Sequence, residues 1–265
     1  MPFQKIVAEK ISTTVTQQIE ELILQGVLRP GDRLPAEREL SETMDVSRPT
    51  LREALADLEQ RGLIATRPGG GTFVAEVLGS AFAAPLIELF ATHDTALFDY
   101  IAFRRDMEGL AAERAAINAT DADLAVIDSV FRRMEDATQK RNPAEEAAID
   151  AEFHMTIVEA AHNVVMLHMM RSLYDLLVRG VFYNRSAVYS LRESRIRLFD
   201  QHRAIRDAVI GRNPQAARAA IEAHMDFIAE ALRDANRLRS REQVAALRQR
   251  HEEQRAQKPR PRKGV

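Results

Sequence analysis

The segment 34–74 constrains the fold of this chain more than any other part of its sequence. It begins with two short stretches, LPAERELS and VSRPTLREAL, in which apolar residues recur at the three- and four-residue spacing of a helix. It ends with two short apolar runs that flank Gly69-Gly70-Gly71, a pattern typical of a β-hairpin with a glycine tip. Two short helices followed by such a hairpin predict a winged helix-turn-helix.

The second of these helices begins with residues suited to reading DNA. Ser47 can cap the free amides of its first turn, and Pro49 is tolerated there because those amides have no intrahelical partner. The apolar residues of this helix should face a core, which leaves Arg48, Thr50 and Arg52 on or near the opposite side. Because arginine can hold guanine bidentately in the major groove, the pattern favours DNA contact.

The net charge of segment 1–76 argues against DNA binding. It holds nine Lys and Arg against twelve Asp and Glu, a net charge of −3, whereas nucleic-acid-binding domains are usually basic. A helix-turn-helix without a DNA function is therefore the alternative. Arg38, Arg48, Arg52 and Arg67 nevertheless cluster in the elements that would dock on DNA, and we predict DNA binding from that placement.

These motifs also carry a family resemblance. Over about residues 5–76, PGDRLPAEREL and VSRPTLREAL resemble the DNA-binding domain of the GntR family of bacterial transcription factors. The resemblance implies DNA contacts by Arg38, Ser47, Arg48, Thr50 and Arg52, and a wing that includes Gly69 and Gly70. Since one recognition helix reads few bases, we expect a homodimer on an inverted repeat in double-stranded DNA.

The composition of the whole chain excludes several classes of protein. Charged residues make up 29% and hydrophobic residues 46%, and no apolar run approaches the roughly 20 residues that span a bilayer. The chain has no cysteine, which excludes disulfides and thiolate chemistry. We therefore expect a cytoplasmic protein without a membrane partner.

From about residue 80 the sequence changes character, and Ala, Leu, Ile, Arg and Glu dominate. We expect residues 1–76 to form the DNA-binding domain, 77–84 a hinge, and 85–236 an all-α bundle of six or seven helices. Residues 237–265 hold ten Lys and Arg against three Asp and Glu, and we expect a partly disordered basic tail. An auxiliary contact of this tail with phosphates is the alternative. The expected fold class is thus mainly α, with an N-terminal winged helix-turn-helix.

Four residues of the helical region could share a metal ion. Asp150 and His154 are four residues apart and lie on one helix face, while His202 and His224 belong to two later helices. Apolar residues follow each histidine at helical spacing, so the three imidazoles should point into the bundle. Buried histidines satisfied by the core are one interpretation, and a shared divalent cation is the other.

A second resemblance bears on this choice. It is carried by short motifs of the helical region: FRRDMEGLAA, DAEFH, QH at 201–202, AH at 223–224, and EAAHNVVMLH. They resemble the ligand-binding (FCD) domain of the FadR-type branch of the GntR family, near its pyruvate- and lactate-responsive members. The resemblance implies that Asp150, His154, His202 and His224 bind a divalent metal that helps to hold a small carboxylate. Zinc is the expected ion, and nickel, manganese or iron would accept the same ligands.

Arg104 is the candidate for pairing with the carboxylate of that effector. Only one of Arg104 and Arg105 can face inward, and a surface pair of Arg104 with Glu108 is the alternative. Together these expectations describe a repressor that responds to a metabolite such as pyruvate or L-lactate. The competing hypotheses are a metal-dependent enzyme acting on a 2-oxo or 2-hydroxy acid, and a purely structural metal.

Overall fold

The computed structural model describes residues 10–67, 69–75, 88, 93–140, 142–178 and 192–257, so the predicted hinge at 77–84 lies outside the described residues. The helices and strands are, in chain order, α1 (Ile11–Leu24), α2 (Glu37–Thr43), α3 (Arg48–Gln60), β1 (Ile64–Arg67), β2 (Gly71–Val74), α4 (Asp94–Asn118), α5 (Asp121–Lys140), α6 (Pro143–Ala160), α7 (Val164–Val178), α8 (Arg192–Ile210) and α9 (Pro214–Gln257). None of the described helices is long and apolar enough to cross a membrane. The chain divides into two compact units, one formed by Met1–Ile87 with His162–Leu176 and the other by the remaining residues.

The first unit contains the predicted winged helix-turn-helix. Helices α1 to α3 pack around a small apolar core with the hairpin, whose strands β1 and β2 pair antiparallel with Ile64 opposite Val74 and Arg67 opposite Gly71. The segment before α2 joins the hairpin, since the amide of Leu34 donates to the carbonyl of Thr72 over 2.9 Å. The core residues are Val15, Ile19, Ile23, Leu34, Leu51, Ala54, Leu58, Ile64 and Val74.

Helix α7 belongs to this first unit although it follows α6 in the chain. Its His168 places Nε2 2.9 Å from the carbonyl oxygen of Leu24, and its Arg171 donates from Nη2 to the carbonyl oxygen of Gly26 over 3.0 Å. These carbonyls close the C-terminal end of α1, where a helix has acceptors without intrahelical donors and attracts positive charge. Periodicity alone predicts this segment to lie within the helical region, and the structure packs it against the winged helix-turn-helix.

The second unit is the predicted all-α region. Helices α4, α5, α6, α8 and α9 bury a common apolar core that includes Phe131, Phe153, Ile205 and Ile221. Helix α9 continues to Gln257, and its residues from Arg233 to His251 are mostly exposed. The fold class predicted from the sequence is confirmed.

Candidate functional site

The four candidate metal ligands meet inside the second unit. Helix α6 supplies Asp150 and His154, α8 supplies His202, and α9 supplies His224, and each offers one ligand atom within 4.8 Å of the others. Nε2 of His202 lies 2.9 Å from Oδ1 of Asp150 and 3.3 Å from Nε2 of His154. All four residues are at most 2% exposed.

The donor set fits a divalent metal ion. Nε2 of His224 is fully buried and has no hydrogen-bond partner among the residues that the structure describes. Its other ring nitrogen, Nδ1, lies 3.1 Å from Oε1 of Gln201. When Nδ1 donates to Gln201, Nε2 becomes an acceptor that faces the other candidate ligands. Metal-binding histidines are commonly oriented by such a hydrogen bond from the other ring nitrogen. A metal would remove the cost of leaving this nitrogen buried and unpaired.

Burial favours the neutral imidazole at His154 and His224. Burial lowers the pKa of His154 below its usual value, although the neighbouring Glu108 acts in the opposite direction. Burial likewise lowers the pKa of His224 well below its usual value, and the proximity of His202 adds to the effect. Neutral imidazole is the form that binds a metal, so this environment favours ligation.

Glu108 joins the ligand cluster to Arg104. Its Oε2 lies 2.7 Å from Nδ1 of His154, and its Oε1 accepts from Nε of Arg104 over 2.6 Å. Burial alone would raise the pKa of Glu108, but the charge of Arg104 and the hydrogen bonds from His154 and Arg104 lower it to about 2. Glu108 is therefore a carboxylate that holds one face of the site in place.

Of the two adjacent arginines, Arg104 faces inward and Arg105 faces outward, as expected for neighbouring residues of a helix. Arg104 is fully buried and pairs with Glu108 in the interior, not on the helix surface. Arg105 is one-third exposed and pairs with Asp226 and Glu222 of α9. The sequence pattern predicts for Glu108 only a pair with Arg104, and it predicts no role for Gln201. Glu108 shares the inward face of α4 with Arg104, and that signal could have found it.

The elements predicted to read DNA have the expected local geometry. Ser47 caps α3, since its Oγ accepts from the amide of Thr50 over 3.3 Å and lies 2.7 Å from Oγ1 of Thr50. Arg48 is exposed at the first position of that helix. The exposed Arg52 is paired with Glu37 over 2.7 Å. DNA binding at Arg52 would therefore exchange a surface ion pair for a phosphate or base contact.

The other predicted DNA contacts are also at the surface. Arg38 lies on α2 with Nε 3.7 Å from Oε1 of Glu42, a distance typical of a weak helix-surface pair. Gly69 and Gly70 lie at the turn between β1 and β2, where the amide of Gly70 donates to the carbonyl of Arg67 over 2.9 Å. Gly69 has a φ of 69°, which a residue without Cβ adopts at little cost.

Two family models together match most of the described chain. Residues 11–74 match the family model "Bacterial regulatory proteins, gntR family", and residues 99–227 match the model "FCD domain". The matched FCD range contains all four candidate metal ligands together with Arg104 and Glu108.

Curated relatives match over most of their length. A Glc operon transcriptional activator of Escherichia coli strain K12 is 35% identical over 84% of this chain and 89% of its own. An L-lactate dehydrogenase operon regulatory protein of the same strain is 34% identical over 84% of this chain and 86% of its own. Among solved structures, a GntR protein of Streptococcus agalactiae shares the fold with a TM-score of 0.50 and 24% identity, over 83% of this chain and all of that chain.

Proposed function

This chain belongs to the GntR family of bacterial regulatory proteins and carries an FCD domain, and on that premise we propose that it is a repressor released from DNA by a small carboxylate. The protein is a DNA-binding transcription regulator and not an enzyme, because the matched families and the relatives are regulators. The hypothesis of a metal-dependent enzyme is therefore set aside. The buried cluster of one aspartate and three histidines supports the further proposal of a metal-assisted sensor.

In this proposal Asp150, His154, His202 and His224 hold a divalent metal ion, with zinc as the first choice. When bound, the metal supplies a Lewis-acidic point of attachment for an oxygen of the effector. Glu108 and Gln201 support two of the histidines, because each lies within hydrogen-bond distance of a ring nitrogen. The protein thus provides a buried and preorganised set of ligands.

The effector we propose is a small 2-hydroxy or 2-oxo acid, with L-lactate and pyruvate as the first candidates. Two oxygens of such an acid can chelate a metal, and its carboxylate can pair with a guanidinium. Arg104 is the proposed partner, since it is fully buried and joined to the ligand cluster through Glu108. The relative named as an L-lactate dehydrogenase operon regulatory protein supports this choice of acid.

The chain offers a route by which the sensor could affect the DNA-binding elements. Helix α6 carries Asp150 and His154, and only three residues connect it to α7. Helix α7 then contacts the C-terminal carbonyls of α1 through His168 and Arg171. An effector that favours one arrangement of α6 would shift the population of DNA-binding states, and a coupling of about 1–3 kcal/mol changes affinity about 5- to 150-fold.

We propose a homodimer on an inverted repeat, because two recognition helices multiply the specificity of one. Repression is the proposed direction, since a regulator represses simply by occupying a site that overlaps the promoter. One similar protein is named an activator, and a reporter gene under the promoter of the regulated operon tests the direction. Expression that rises when the gene for this protein is deleted would support repression, and expression that falls would contradict it.

Fluorescence anisotropy can measure how tightly the protein binds DNA from upstream of its own gene, and this tests the proposed sensor. We expect pyruvate or L-lactate to weaken binding of the zinc-loaded protein about 5- to 150-fold, and a chelator to abolish that response. Arg104→Lys keeps a charge for Glu108 but loses the planar fork, so the effector concentration required should rise at least about tenfold. Arg105→Lys is the matched control, because Arg105 is adjacent but pairs at the surface with α9.

Different outcomes of this titration would contradict different parts of the proposal. Specific DNA binding that no 2-hydroxy or 2-oxo acid changes would contradict the effector class. A response to acid that persists in chelator would contradict the role of the metal. Equal responses of Arg104→Lys and Arg105→Lys would contradict the assignment of Arg104.

A further inference from the structure

Helix α4 has an apolar face that the rest of the described chain leaves exposed. Phe103 is 42% exposed and Ile117 is 60% exposed, and Leu110 lies midway between them and is partly exposed. The three residues are seven apart, which places them on one line along the helix. The opposite side of α4 is buried in the core and at the candidate metal site, where Arg104 and Glu108 lie. A continuous apolar strip of this kind is a candidate contact with another protein surface.

Two charges flank the apolar line and complete a symmetric pattern. Asp106 precedes Leu110 by four residues, and Arg114 follows Leu110 by four. The side chain of Asp106 is 72% exposed and lies 3.5 Å from Nη1 of Arg105. Arg114 is exposed and makes no ion pair with any residue that the structure describes. Reversing the direction of the helix about Leu110 therefore exchanges Phe103 with Ile117 and Asp106 with Arg114.

We propose that this face of α4 binds the same face of a second copy of the chain, with the two helices antiparallel and crossing at Leu110. The proposal rests on the homodimer of the proposed function and specifies its surface. At the crossing, Leu110 meets its own copy, while Phe103 packs on Ile117 of the other copy. Asp106 then faces Arg114 of the other copy, and two-fold symmetry repeats both contacts.

The charge pattern selects the antiparallel direction. In a parallel pair Asp106 would face Asp106 and Arg114 would face Arg114, which places like charges together. In the antiparallel pair both contacts join opposite charges. A spacing of seven residues matches the shallow crossing of helices that pack along a 3.5-residue repeat. The surface is self-complementary, as a two-fold interface between identical chains requires.

Introduced cysteines test the geometry, because the natural chain has none to react. Leu110→Cys should form a disulfide-linked dimer under mild oxidation, since the crossing brings this position close to its own copy. Phe103→Cys alone should not, because 14 residues of helix, about 21 Å, separate it from its own copy along the axis. Phe103→Cys mixed with Ile117→Cys should cross-link. Ile196→Cys on α8, which is 54% exposed, is the matched control.

Charge reversal tests the same surface without a covalent bond. Asp106→Arg and Arg114→Asp should each raise the dissociation constant of the dimer at least about tenfold, because each puts two pairs of like charges together. The double variant should restore association, since it exchanges the two signs. Sedimentation velocity reads the result as a mass of either 29.8 kDa or twice that value. Unchanged circular dichroism and zinc affinity would show that the variants fold.

The outcomes separate this inference from the function on which it rests. A natural chain that stays at 29.8 kDa at every concentration would overturn both the dimer and its surface. A dimer that survives both charge reversals, or in which Leu110→Cys fails to cross-link, would overturn the surface alone. Cross-linking by Phe103→Cys alone would overturn the antiparallel direction.

Discussion

At the scale of single residues, Glu108 links the candidate metal site to the proposed effector site, which the sequence predicts only as separate groups of residues. Its two oxygens contact His154 of the ligand cluster and Arg104, the proposed effector partner. A fully buried guanidinium needs a compensating carboxylate, and a metal-binding imidazole needs its second nitrogen held in place. One side chain meets both requirements, so a change in it should affect stability and metal binding together.

Glu108→Gln should lower both the free energy of unfolding and the affinity for zinc. The amide removes the negative charge that pairs with the buried Arg104, and breaking a buried ion pair costs about 3–5 kcal/mol. Weaker support of His154 should lower zinc affinity about 10- to 100-fold. Urea unfolding followed by circular dichroism and titration with a chelating zinc buffer measure the two effects.

The matched control is Glu152→Gln, which removes a carboxylate that pairs with Arg133 on the surface of α6. Exposed pairs contribute about 0–1 kcal/mol, so this variant should leave both quantities nearly unchanged. If the two variants behave alike, Glu108 has neither of the roles assigned to it.

At the scale of elements, the end of α1 shows how a helix terminus fixes a neighbouring element. Gly26 follows α1 with a φ of 75°, and Gly62 follows α3 with a φ of 74°. A Cβ atom at Gly26 would lie 2.5 Å from Nη1 of Arg171, whereas a Cβ at Gly62 would meet nothing within 4 Å. The two glycines therefore share a backbone requirement, and only Gly26 also makes room for α7.

Gly26→Ala should destabilise the first unit more than Gly62→Ala does. The left-handed backbone costs a residue with Cβ about 1–2 kcal/mol at either position. At Gly26 the new methyl group also displaces Arg171, which should add about 1 kcal/mol by breaking its hydrogen bond to the carbonyl of residue 26. Circular dichroism during urea unfolding measures the difference.

A double-mutant cycle identifies the source of that difference. In a background of Arg171→Ala the two glycine substitutions should cost about the same, because the side chain that collides with the new Cβ is absent. A difference that persists in that background would mean that the collision with Arg171 is not its source.

At the scale of the whole molecule, the candidate metal site joins three helices that are distant in sequence. Residues 150 and 154 lie on α6, while residues 202 and 224 lie on α8 and α9. A ligand that binds only the folded arrangement stabilises it by mass action. Metal binding should therefore stabilise the second unit as a whole, and not only its local surroundings.

Removal of the metal should lower the stability of the protein by a predictable amount. Zinc at 100 times its dissociation constant adds about 2.7 kcal/mol to the free energy of unfolding relative to the chelated protein. His224→Ala removes one of the four ligands and should lose most of this response. A natural chain whose unfolding is the same with and without zinc would show that the four residues do not bind it.

The sequence alone determined the parts of this protein whose signals are local. The cap at Ser47, the helical spacing around Leu51 and the glycines of the hairpin each act over a few residues, and the winged helix-turn-helix they predicted is the fold observed. The family and the regulatory class followed from the same motifs and are confirmed. The domain boundaries and the roles of individual site residues stay predictions.

Only the tertiary structure decided which inward-facing residues meet. Periodicity assigns a residue to the buried face of its helix, but it does not say which residue of another helix lies opposite. The distances from His202 to Asp150, from Glu108 to His154 and from Arg171 to Gly26 depend on the packing of whole helices. Sequence spacing therefore predicted that the histidines face inward, and packing of three distant helices brought their ligand atoms together.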